Sequence, residues 1–323
     1  MGVDSSAALT GVSVGAWQRF EVHQIEQFRN AVLGASLDAA LLRGPLRGAS
    51  LAFAAGNGFF LSSGLVQGNI AVSGNQLDGT VILVANVRTG PRTLLALEHS
   101  RPGDIAAITS GFCLNAHYGP GDIYLALTLS AKRFEQQCDV KCIHTGVGGL
   151  LRRALSNDWI AWVEDQLLRI HTGETCSSMA VAAIAKHLLE SVTRQTAAVK
   201  KPQTKCHAAI VEQSRDYIQR NLSSRISMDA LATVAGTSRR TLFRAFGEVL
   251  NATPQSYVRI VRLNRIRQQI LSTREADQTI SALARSCGIG ELGRLASWYR
   301  ALFGEYPHET RKRNRSRGED MFL

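Results

Sequence analysis

Within seven residues the chain places Ser238, Arg239, Arg240, Thr241, Phe243 and Arg244, a mixture of hydroxyl, guanidinium and aromatic groups. Arg240 and Arg244 are one helical turn apart. A guanidinium in that position can bond guanine O6 and N7 bidentately. Arg239 is suited to a phosphate contact, and Phe243 either to a thymine methyl or to a core. Further on, Glu291, Arg294 and Ser297 form a second set for base edges, with Arg300 directed to the backbone and Arg262 lying between the two sets. Ser, His and Asp are all present, but no nucleophile-elbow or phosphate-loop pattern occurs, so no enzyme is expected. The six cysteines are scattered without a Cys-x-x-Cys. Cys138, Cys142 and His144 come nearest to a zinc set, yet their spacing closes no tetrahedron. Reduced thiols, no metal and no cofactor are the expectation.

The elements that would position these side chains are two helical corners. Met228–Phe246 and Ile280–Tyr299 each carry a small Ala in the first helix (Ala232, Ala284) and a Gly four residues later (Gly236, Gly288), 52 residues apart. The Ala permits close helix approach, and the Gly supplies the backbone freedom of a sharp turn. Ser227 and Thr279 are N-cap residues for the two corners. One such pattern is common in helical hairpins; its repetition at helix-length spacing predicts two helix-turn-helix units, 227–246 and 279–300, whose second helices enter the DNA major groove. A helix over Pro254–Leu271, capped by Thr253 with Pro at its first position, joins them. Its roughly 27 Å length would set two recognition helices about one DNA turn, roughly 34 Å, apart.

Charge points the same way. Of 37 Lys+Arg and 26 Asp+Glu, residues 1–200 hold 16 and 15, a net of +1 (16 − 15), and residues 201–323 hold 21 and 11, a net of +10 (21 − 11). An excess confined to one half implies a polyanion for that half, and of the polyanions only double-stranded DNA also fits the motif. Arg311, Lys312, Arg313, Arg315 and Arg317 read as a mobile basic tail. Absence of a long apolar run or a secretory signal makes the expected location cytoplasmic, with no membrane partner.

The first half has another texture. Short apolar runs, Leu46–Phe53, Phe59–Leu65, Asn69–Val72, Thr80–Val87, Arg92–Leu97, Ile105–Thr109 and Ile123–Leu129, alternate with Gly, Pro, Asn and Asp clusters, which predicts a β-sandwich or small barrel. Helices are expected over Val147–Ile170 and Ser177–Val192, each with an apolar stripe. The stripe around Leu151, Leu155, Trp159 and Trp162 serves either packing on the barrel or a dimer face. The expected organisation is α+β: an effector-sensing and dimerisation domain over 1–195, a linker over 196–205, a DNA-binding domain over 206–315 and a tail over 316–323.

The residues of the second half resemble the AraC/XylS family of bacterial transcription regulators over about residues 206–313. The likeness rests on Gly236, Ser238, Leu242, Arg244 and Phe246 in the first unit, on Pro254, Tyr257, Arg262 and Leu263 in the connector, and on Phe303, Gly304 and Pro307 at the close. Ile289, Ser297 and Thr310 depart from it, standing where the family often has Phe, Arg and Tyr. The run Leu292–Tyr299 is similar to a subgroup that includes regulators of ethanolamine use. The resemblance implies a cupin-like N-terminal domain, metal-free because His23, His99, His117 and His144 include no His-x-His pair. It implies a ligand-responsive activator that works with RNA polymerase, takes a small-molecule effector and forms a homodimer. Two other readings are an alkyl-accepting or catalytic domain fused to the same module, for which a zinc-thiolate cluster is lacking, and an effector-independent DNA-bending protein.

Overall fold

A computed structural model of the chain describes residues 16–109, 114–137, 150–151, 154–174, 178–195, 207–272 and 278–319. The linker expected at 196–205 and the Cys138, Cys142 and His144 trio lie outside these residues. The chain divides into two compact units, Met1–Ala39 with Leu46–Pro202 and Ala40–Pro45 with Gln203–Leu323.

The first unit is built on two antiparallel sheets. Strands β1 (Gln18–Val22), β2 (Ala35–Arg43), β3 (Ala49–Gly56), β4 (Phe59–Leu65), β5 (Asn69–Gln76), β6 (Thr80–Arg88), β7 (Leu94–Leu95), β8 (Glu98–His99), β9 (Ile105–Ile108), β10 (Leu114–Tyr118), β11 (Ile123–Ser130) and β12 (Leu150–Leu151) follow in chain order. The larger sheet runs β1-β3-β4-β11-β6-β9-β12 and the smaller β2-β5-β10-β7-β8. Helix α1 (Ala131–Gln137) follows β11, and α2 (Asn157–Thr172) and α3 (Ser178–Gln195) come after β12.

Alternation along β11 shows how the layers stack, because successive side chains point to opposite faces. Leu125, Leu127 and Leu129 join Leu61, Leu83 and Ala85 in one core with Ile160, Val163, Leu167 and Ile170 of α2 and Val181, Ile184 and Leu188 of α3. Tyr124 and Thr128 point the other way. The Tyr124 ring lies 5.3 Å from Tyr118 of the smaller sheet, and its hydroxyl donates to the Ala31 carbonyl at 2.8 Å. The central strands are thus covered on both faces, which explains their nearly unbroken apolar runs.

The stripe on α2 is spent within this unit. Leu155, Val163 and Leu167 are buried, and Trp159 stacks on His187 of α3 at 4.6 Å. Only Trp162 of the described part of the stripe stands out, 40% exposed. The helix expected from Val147 begins ten residues later. Leu150–Leu151 instead pairs as a strand with Ala106 and Ile105, and Ser156 caps α2 by accepting from the Trp159 amide. An apolar Leu-Leu pair serves strand and helix equally, so periodicity could not locate this boundary.

His171, buried near the end of α2, joins helix to sheet. Its Nδ1 lies 2.8 Å from Ser50 Oγ and its Nε2 3.1 Å from Ser63 Oγ. Ser63 already donates to the Tyr124 carbonyl, so its one hydroxyl proton is used and Nε2 must be the ring donor, with Nδ1 accepting from Ser50. Burial, seconded by the Arg19 charge, pushes the imidazole down to about 4 from 6.5. The unfolded chain therefore binds the extra proton, and stability is full above pH 6.5 and falls as pH drops toward 4. We expect a loss of about 3 kcal/mol across that window. Urea titrations followed by tryptophan fluorescence should show it, and His171→Gln should flatten this part of the pH profile while lowering the plateau.

Candidate nucleic-acid interface

The second unit is helical: α4 (His207–Arg220), α5 (Met228–Val234), α6 (Arg239–Leu250), α7 (Pro254–Ser272), α8 (Ile280–Ser286), α9 (Leu292–Phe303) and α10 (Pro307–Glu319). The first corner forms as its residues require. Ser227 accepts from the Ala230 amide at 3.1 Å, Ala232 is buried against its neighbours, and Gly236 turns the chain at φ +58°. Ser238 then caps α6 by accepting from the Thr241 amide. Leu242, Ala245 and Phe246 face inward, with Phe246 edge-on to Tyr257 of α7 at 5.7 Å. What remains outward is Ser238, Arg239, Arg240 and Arg244, with Thr241 and Phe243 half-buried beside them.

The second corner repeats the frame. Thr279 accepts from the Ala282 amide, Ala284 is fully buried and Gly288 adopts φ +76°. Here glycine is required twice over, because a Cβ would also meet the Leu222 carbonyl oxygen at 2.5 Å. Leu295, Tyr299, Leu302 and Phe303 point into the core, and Glu291, Arg294, Ser297 and Arg300 are exposed.

The two sets of surface arginines are held differently. Arg240 and Arg244 have no hydrogen-bond or ion-pair partner among the described residues, whereas Arg239 lies 3.5 Å from Asp229. Arg294 pairs with Glu291 at 3.3 Å. Arg300 donates to the Tyr306 hydroxyl at 2.7 Å and covers that ring.

The half-buried Arg262 donates to the carbonyls of Leu222 at 3.1 Å and Ser224 at 2.6 Å and so braces the chain between α4 and α5. The basic tail is corrected: Arg311, Lys312, Arg313 and Arg315 belong to α10, a regular helix.

The residue that sequence reasoning missed is Glu305. It accepts from Arg267 of α7 at 2.6 Å, from Thr310 at 2.9 Å and from Arg313 at 2.8 Å. Thr310 also meets the Tyr299 hydroxyl at 3.0 Å, and Arg267 lies over the Phe303 ring at 4.8 Å. The departure at Thr310 was the available signal: a short hydroxyl here leaves room for the carboxylate cluster.

A repeated, capped corner with an outward basic second helix defines a double helix-turn-helix DNA-binding domain. Residues 231–313 match the family described as a helix-turn-helix domain. The chain is 30% identical over 156 residues to the HTH-type transcriptional regulator ArgR of Pseudomonas aeruginosa, covering 48% of this chain and 46% of that protein. It is 35% identical over 94 residues to a XylDLEGF operon transcriptional activator of Pseudomonas putida, 29% of each. A solved structure titled a probable AraC family transcriptional regulator, from Rhodopseudomonas palustris, is 36% identical, with 33% of this chain and 97% of that one covered and a TM-score of 0.31. The similarity lies in the helix-turn-helix domain and accords with the AraC/XylS resemblance of the second half. The chain spans less than half the length of the two curated relatives. No helix among the described residues is long and apolar enough to cross a membrane.

Burial alone would raise the Glu305 carboxyl, but hydrogen bonds from Arg313, Arg267 and Thr310 outweigh it and hold it at about 2, below its ordinary 4.5. The stability this provides is present above pH 4.5 and lost as pH falls through 2. Glu305→Gln leaves Arg267, whose side chain is 5% exposed, without its anion. We expect a cost of about 3 kcal/mol at pH 7. Thermal melts should show that the gap between variant and parent closes as pH approaches 2.

Proposed function

We propose that this chain is a sequence-specific transcription regulator, an activator, whose two recognition helices occupy successive major grooves. The observation that carries the reading is the pair Arg240 and Arg244, exposed one turn apart and unpartnered on a capped helix. Ser238, Thr241 and Phe243 belong to the same base-facing set, with Arg239 on phosphate. In the second unit Glu291, Arg294 and Ser297 lie at the groove and Arg300 nearer the backbone. The assigned partners are double-stranded DNA and RNA polymerase, and the chemistry is binding without catalysis, in the cytoplasm.

Control by a small molecule belongs to the same proposal. A groove of about 590 Å³ in the first unit, lined by Phe59, Leu129, Arg133, Ala185, Lys186 and Leu189 among others, has the size of a ligand site. A homodimer is part of the proposal as well, and since most of the α2 stripe is consumed internally its support narrows to Trp162. Sedimentation should show the parent as a dimer and Trp162→Glu as a monomer.

The test of the central reading is selection of binding sequences from random duplexes with the full-length protein. Arg240→Ala and Arg244→Ala should each cost roughly 1–3 kcal/mol on the selected duplex. Arg239→Ala should weaken selected and random duplexes alike, and binding should fall steeply with salt. Failure to enrich any sequence, or equal losses on both duplexes for Arg240→Ala and Arg244→Ala, would refute base reading by the first unit.

A further inference from the structure

Counted from their N-caps, the two recognition helices can be laid residue on residue. Ser238 begins α6 and Glu291 begins α9. The places of Arg240 and Arg244 are then taken by Gly293 and Ser297. The second helix lacks both unpartnered arginines and carries a single cation in its first half, Arg294.

Glu291 is an odd residue for its position. Ser227, Ser238 and Thr279, at the other helix starts of the two corners, each accept a hydrogen bond from a main-chain amide in the first turn. Glu291 makes no such bond. It is 64% exposed, so packing does not explain it either. Its carboxylate instead lies 3.3 Å from Arg294 Nη1, on the exposed face of the helix.

We propose that Glu291 restrains the second unit, holding Arg294 and opposing the phosphates, so that sequence choice falls mainly to the first unit. This rests on the DNA-binding reading given above. The physics is direct. A duplex approaching α9 must draw Arg294 away from its carboxylate, and that carboxylate then faces a polyanion at close range. An exposed pair of this kind is worth little to folding. Its effect is on binding, where one cation is neutralised and one anion added.

The experiment is gel shift of full-length protein on its selected duplex across a salt series. Glu291→Gln keeps the size and polarity of the side chain and removes the charge. It should tighten binding roughly five-fold near 0.15 M salt and steepen the logarithmic salt dependence by about one unit. The first half-site's base preferences should not change. In the Arg294→Gln background the same replacement should give a smaller gain, that of the relieved phosphate repulsion alone. Asp216→Asn, an equal change of net charge on α4, should give a smaller gain than Glu291→Gln.

A competing role for Glu291 is acceptance of a cytosine N4 proton. In that case Glu291→Gln loses affinity and relaxes preference at one base pair, and the proposal is overturned. It is also overturned if the gain persists undiminished without Arg294, or if Asp216→Asn matches it. Should the parent bind a selected sequence while Glu291→Gln binds no tighter, the restraint alone is lost. Should the parent select no sequence, the DNA-binding reading falls and this one with it.

Discussion

The second unit turns on a carboxylate that must stay charged. Glu305 collects Arg267 from α7, Thr310 and Arg313 from α10, and through Thr310 the hydroxyl of Tyr299 on α9. Three helices are thereby referred to one atom pair. A buried ion pair is seldom the most stable filling for its volume. It is, however, exacting about geometry, because a guanidinium fork accepts only a narrow range of carboxylate positions. An apolar cluster of equal volume would tolerate sliding of α10 along α7; this one does not. Through the Tyr299 hydroxyl the second recognition helix is tied to the same cluster.

The same logic runs along the connector. Of its arginines, Arg259 covers the Trp298 ring at 4.8 Å, Arg262 holds the Leu222 and Ser224 carbonyls, and Arg267 holds Glu305. Arg259 and Arg265 are exposed, Arg262 is half-buried and Arg267 is buried. Part of the basic excess in this half is therefore architectural. Guanidinium suits that work, being planar, always charged and more weakly hydrated than ammonium. The surplus that first marked this half as a polyanion binder overstates the charge available to a polyanion, although the outward face of α6 remains basic.

Legibility followed the range of the forces involved. The corners could be read because their causes are local: a cap hydroxyl, a small residue and a glycine with positive φ act within a turn of one another. Phe59–Leu65 was read to the residue for a similar reason, since the turn at Asn57–Gly58 fixes where it begins. β2 and β10 were not read. Ala35–Arg43 mixes Ser36 and Asp38 with Leu37 and Leu41, and becomes a strand only by pairing within the smaller sheet. The roles of Arg262 and Glu305 were illegible because their partners lie 38 to 40 residues away for Arg262 and 38 residues away for Arg267. In sequence, an arginine that braces a carbonyl looks the same as one that meets a phosphate.

The two corners show how a repeated motif diverges. Cap, small residue and glycine recur at the same offsets because each is fixed by backbone geometry, and any change there costs folding. The outward residues carry no such constraint. α6 and α9 share the inward pattern of Leu and aromatic side chains, yet outward one presents bare guanidinium groups and the other glycine, serine and a closed ion pair. A core that needs only one face of each helix leaves the other face free to vary. The chain thus has one frame used twice and two surfaces that are chemically unequal. A duplex meeting both would be held by the pair and distinguished chiefly where the guanidinium groups are unoccupied.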